Sequence, residues 1–153
     1  MEGRFDQIKT VNQDTAPDRN TVRLWEPKDF IAISLVLLHH RHNSEWDKFP
    51  EIKTPQDELV KWLIQRYTDP NYVAYVKTDR DGNIEACVGV NLCDNSHPPH
   101  FRQINDWCMW GSSVRDLAVL WMKCKEWGKG RGAIIAQRGT VTPHYQIVRM
   151  ERI

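Results

Sequence analysis

The residues of this 153-residue chain best placed to do chemistry lie where an apolar run, Ile104 to Trp110, passes through Gly111-Ser112-Ser113 into an amphipathic stretch from Val114. A strand feeding directly into a helix N-terminus offers unpaired backbone N–H groups and the positive end of the helix dipole, a setting that favours a phosphate-bearing ligand. Ser113 and Asp116 have the spacing of a capping box, which fixes that helix start. The glycine-rich loop such a site usually carries is missing, and only Gly111 stands there. A second glycine run, Gly128-Lys129-Gly130-Arg131-Gly132, follows a helix and precedes a strand, the reverse of a phosphate loop. It reads as a helix C-cap, with a left-handed glycine and basic residues near the negative end of the dipole. Cys93, His97, His100 and Cys108 are metal-ligand types, but their spacing matches no standard finger, and no metal site is expected.

Composition narrows the function classes. Against 20 acidic residues stand 21 basic ones, and a net charge of +1 makes no long-range field that would recruit nucleic acid or an acidic membrane face. The longest nearly unbroken apolar run, Phe30 to Leu38, is far short of the roughly 20 residues a membrane span needs. Cys87, Cys93, Cys108 and Cys124 fall in or beside regular elements with no secretory signal ahead of them, so free thiols in a reducing cytoplasm are expected. Seven tryptophans are many for this length. Several belong in the core, and Trp46 and Trp62 are candidate interface anchors.

The elements that position these residues follow from periodicity and punctuation. Residues 1–20 are polar without an apolar period and read as a flexible arm; residues 21–153 read as one domain. Thr21 to Trp25 alternates as a short strand. Glu26-Pro27 opens a helix to about Arg41 whose apolar residues, Phe30, Ile31, Ile33, Val36, Leu37 and Leu38, predict burial on most sides. A second helix starts at Thr54-Pro55, with Thr54 and Asp57 at capping-box spacing and Leu59, Val60, Leu63, Ile64 and Tyr67 as its stripe. Tyr72 to Val76 and Ile84 to Leu92 form a hairpin around Asp79 to Asn83, with Ile84, Ala86, Val88, Val90 and Leu92 on one face. The helix from Val114 to about Trp127 buries Leu117, Leu120, Trp121 and Cys124. Short strands follow at Ala133 to Ala136 and Tyr145 to Met150, the last with Ile147 inward.

That order is strand, two helices, three consecutive strands, helix, strand, strand. With the Glu26-Pro27-Lys28-Asp29 helix start, the Asp81-Gly82 hairpin and the strand-to-helix step from Trp107 to Val114, it resembles the GNAT superfamily of N-acetyltransferases over Thr21 to Ile153. The resemblance implies an α+β fold, a mixed, mostly antiparallel sheet flanked by helices. It implies acetyl-CoA as cofactor, with Trp107, Cys108, Met109 and Trp110 along the pantetheine arm and Gly111, Ser112, Ser113, Val114 and Arg115 facing the pyrophosphate. It implies transfer to a small amine or a peptide amine, which needs a base and an acid. Asp106 is the candidate base and Tyr145 the candidate acid. The chain departs from the family where Arg or Gln, two residues, Gly, one residue, Gly or Ala is usual, and where Arg138 to His144 is too short for a full helix between the last strands. Similar small members occur among bacteriophage proteins, including virion components. This implies a second class, a non-catalytic subunit docked on a protein assembly.

Overall fold

The computed structural model describes residues 21–42, 55–141 and 146–153. The predicted arm, Trp46, Thr54 and Tyr145 lie outside the described residues. Six strands form one sheet in which spatial order equals chain order: β1 (Val22–Leu24), β2 (Tyr72–Thr78), β3 (Ile84–Asp94), β4 (Arg102–Gly111), β5 (Ile135–Val141) and β6 (Gln146–Arg152). Every neighbouring pair is antiparallel except β4 and β5, which run parallel. That crossover needs a helix, and α3 (Val114–Lys129) supplies it. Helices α1 (Phe30–His42) and α2 (Gln56–Tyr67) cover the opposite face. The expected α+β architecture, a mostly antiparallel sheet flanked by helices, is the one found. Among the described residues, no helix is long and apolar enough to cross a membrane.

Alternation along the strands builds two apolar layers. Val73, Ala86, Val88, Val90 and Ile104 meet Leu120, Trp121 and Cys124 of α3, as the α3 stripe predicts. Ala74, Val76, Cys87 and Cys108 meet Trp25, Phe30, Ile33 and Leu63 on the other side. The α1 entry is held by a buried carboxylate. Asp29 accepts Arg23 Nη1 and Nη2 at 2.7 and 2.9 Å and the Glu26 N–H at 2.7 Å. Burial pushes the Asp29 carboxyl up, but the Arg23 and Glu26 donors outweigh it and hold it below the usual range.

Four expectations need correction. Helix α1 is not buried on most sides, because it rests on the sheet by one face only: Phe30, Ile33 and Val36 are buried while Ile31 and Leu35 are 57% and 52% exposed. Helix α2 has Pro55 at its N-cap with no side-chain cap; Gln56 Nε2 instead reaches Ser34 Oγ of α1 at 3.2 Å. Ile84 does not share the face of Ala86. The register jumps from Lys77 opposite Ala86 to Thr78 opposite Ile84, and the extra residue, Glu85, turns Ile84 toward the α1–α2 layer. The penultimate strand is longer than Ala133 to Ala136, because β6 pairs with it from Ile135 to Val141. The hairpin turn is as read: Asp79 Oδ1 takes the N–H groups of Asp81 and Asn83 at 2.9 Å each, and Gly82 adopts φ +87°.

Candidate active site at the fork of two strands

The site begins with an irregularity in β4. Gly89 of β3 faces Cys108 and Val90 faces Asp106, so Trp107 is an extra residue on β4. A bulge of this kind breaks the alternation, and Trp107 and Cys108 consequently point to the same side, into the α1–α2 layer. Trp110 follows them there, whereas Met109 packs on the α3 side. The Trp107 ring lies 5.6 Å from Trp25 and 5.4 Å from Trp62, and its Nε1 donates to the Val90 carbonyl at 3.1 Å. It lies over Gly89 so closely that a Cβ there would overlap the indole. Trp62, a candidate surface anchor in the sequence, is half-buried in this aromatic cluster and stands edge-on to Tyr72 at 5.9 Å. Both β4 indoles thus pack on the α1–α2 side of the sheet, and past Asn105 the space between β4 and β5 is not bridged by strand pairing.

That space opens as a fork. Strands β4 and β5 pair only where Gln103, Ile104 and Asn105 face Ile135, Ala136 and Gln137. At the next step the backbone pairing ends, and Asp106 Oδ1 accepts the Gly139 N–H at 3.0 Å. The carboxylate thus sits at the root of the fork. Desolvation raises the Asp106 pKa; the Gly139 N–H and the positive charge of Arg138 oppose that rise without cancelling it. Beyond it, from Trp107 to Gly111, no described strand pairs with the β5-facing edge of β4. A row of backbone donors and acceptors is left there for another extended chain.

The same strand ends at the helix start. Ser113 is the N-cap, its Oγ taking the Asp116 N–H at 3.3 Å, as the Ser113/Asp116 spacing predicts. The N–H groups of Val114 and Arg115 come next, at positions without intrahelical acceptors. Val114 is 84% exposed, and Ser112 and Arg115 are exposed beside it. Gly111 has another duty. A Cβ there would lie 2.9 Å from Ala86 Cβ and 3.2 Å from Leu117 Cδ2, so its missing side chain lets α3 and β3 close together. Asp116 is paired with Lys77 at 3.7 Å, and Lys77 also reaches Glu85 at 2.7 Å, which partly offsets negative charge in the first turn.

The structure therefore brings Asp106, the Trp107 to Trp110 backbone and the α3 start onto one continuous path. The candidate acid, Tyr145, lies outside the described residues. Arg138 and Gly139, which bear on Asp106, were not among the candidates, because nothing in their local sequence reports a contact across a parallel pair. The remaining candidates lie elsewhere. Gly132, at φ +86°, is the left-handed glycine after α3, and Arg131 stacks 4.5 Å from the Trp127 ring. Cys93 Sγ takes the Asn105 amide at 2.9 Å, and His100 Nδ1 lies 3.3 Å from the Asn95 carbonyl.

No protein-family model matches the sequence, and no curated protein matches it. Solved structures do. An acetyltransferase of the GNAT family from Staphylococcus aureus superposes with a TM-score of 0.57 at 14% identity, covering 78% of this chain and 71% of that one. Glucosamine-6-phosphate N-acetyltransferase from Arabidopsis thaliana gives 0.55 at 11% identity, covering 76% and 79%. A transcriptional regulator from Bacillus halodurans gives 0.60 at 15% identity, covering 78% and 81%. At these identities the likeness establishes a GNAT-like fold.

Proposed function

We propose that the protein transfers an acetyl group from acetyl-CoA to an amine, either a small molecule or a peptide amine, with Asp106 as the base. The observation that carries this reading is the fork itself: a partly buried carboxylate at its root, an unpaired strand edge above it and a helix N-terminus at its end. The chemistry of the donors fits the cofactor. The free edge of Trp107, Cys108, Met109 and Trp110 matches an extended arm bearing two amides, held through backbone rather than side chains. The N–H groups and charge around Gly111, Ser112, Ser113, Val114 and Arg115 suit a pyrophosphate. When bound, acetyl-CoA supplies an activated acyl carbonyl beside the fork. Asp106 then accepts the proton the amine must lose, at Oδ2, since Oδ1 holds Gly139. Its raised pKa makes it a stronger base than a solvated carboxylate. Tyr145 is assigned the return of a proton to the leaving thiolate, on the family resemblance.

Asp106→Asn should keep acetyl-CoA binding, read by calorimetry, and lower turnover with an accepted amine by about 100-fold. Unchanged turnover would remove Asp106 from the mechanism. A second reading rests on Gly111, whose missing Cβ is used by packing against Ala86 and Leu117 rather than by close approach to a phosphate. In that reading the fold is kept without catalysis, as a subunit of a protein assembly such as a bacteriophage virion. No heat with millimolar acetyl-CoA would select it.

A further inference from the structure

The sheet ends on β6, and no described strand pairs with the outer side of that strand. The direction of its backbone groups is fixed by its inner side. The Ile153 N–H bonds the Ile134 carbonyl. By alternation Glu151 and Arg149 also turn their backbone groups toward β5, while Val148, Met150 and Arg152 turn theirs outward. Side chains divide in the same rhythm. Glu151 faces α3, where it accepts Trp121 Nε1 at 2.9 Å and Lys125 Nζ at 2.7 Å, and Arg149 shares that face. Val148 and Met150 lie on the other face, 48% and 56% exposed. Arg149 stands directly opposite Arg138 of β5 and has no ion pair with any described residue. Like charges opposed across a ladder destabilise it.

We infer that β6 is the contact strand of a homodimer, joining a second copy of this chain antiparallel about a two-fold axis through Met150. Charge selects the register. An axis through Arg149 would oppose the two Arg149 side chains, and an axis through Glu151 would oppose the two Glu151 side chains. With the axis at Met150, the outward groups of Val148, Met150 and Arg152 all find partners, and Arg149 meets Glu151 of the partner subunit, twice by symmetry. These fall at non-hydrogen-bonded positions, where opposed side chains approach most closely. The two Met150 side chains meet on the other face, covering apolar surface that is exposed in the monomer. A junction of two short strands buries less area than an obligate interface, so the expected association is micromolar.

Sedimentation equilibrium across the micromolar range tests this. The wild type should be a concentration-dependent dimer. Arg149→Glu should weaken it by about 100-fold or more, since two attractive pairs become repulsive. Glu151→Arg should do the same, and an equimolar mixture of the two variants should dimerise again, because the mixed pair restores both contacts. Should Glu151→Arg fail to fold for want of its α3 partners, Met150→Pro decides. It deletes one outward N–H and leaves the β5 ladder intact, so it should give a folded monomer by circular dichroism. A monomeric wild type, or dimers that survive both Arg149→Glu and Met150→Pro, would overturn the proposal.

Discussion

Two carboxylates in this protein are perturbed in opposite directions, and their environments make the sign of each effect testable. Asp106 is raised by desolvation at the fork, so the folded chain holds its proton more tightly than the unfolded chain. Stability should therefore fall as pH rises from the ordinary carboxylate range through the raised folded value, and Asp106→Asn should abolish that fall in urea midpoints measured against pH. Asp29 is lowered because the Arg23 and Glu26 donors overcome its burial. Its contribution should be fully present at neutral pH and disappear as pH falls through the folded value. Asp29→Asn, which leaves Arg23 without its carboxylate, should cost about 3 kcal/mol at pH 7 by denaturant titration. Gly89 carries a steric prediction. Gly89→Ala should cost about 2 kcal/mol, because the new methyl overlaps the Trp107 indole. In a Trp107→Leu background that cost should shrink, and a double-mutant cycle would read the coupling.

At the scale of elements, the helix start at Ser113 and the hairpin at Asp79 to Asn83 were legible because their signals are local: a cap residue, a turn carboxylate and a glycine at positive φ. Ser113→Ala should accordingly cost about 1 kcal/mol and lower the thermal midpoint, because the Asp116 N–H loses its acceptor. The bulges were not legible. Inserting Glu85 or Trp107 as an extra residue depends on the partner strand, and nothing in either segment announces it. Their consequences are large, since one turns Ile84 to the opposite layer and the other puts Trp107 and Cys108 on the same side. The burial of α1 was misjudged for a related reason: a helix with apolar residues nearly all round gives no periodic sign of which face meets the sheet, and tertiary packing left Ile31 and Leu35 outside.

For the whole molecule, the order of elements carried the fold, because a meander of antiparallel strands followed by a helical crossover to a parallel strand leaves few sheet arrangements open. The position of Asp106 on β4 was legible from the same ordering. Its role at a fork was not, since the parting of β4 from β5 is a relation between strands about 30 residues apart and needs Gly139 to complete it. The proposed catalytic reading joins these parts: a strand edge for an extended cofactor, a helix start for its phosphates and a carboxylate for the amine proton. Titration of the full chain with acetyl-CoA by isothermal calorimetry tests it most directly. Micromolar, near-stoichiometric binding is the result expected; no heat with the cofactor at millimolar concentration would contradict it.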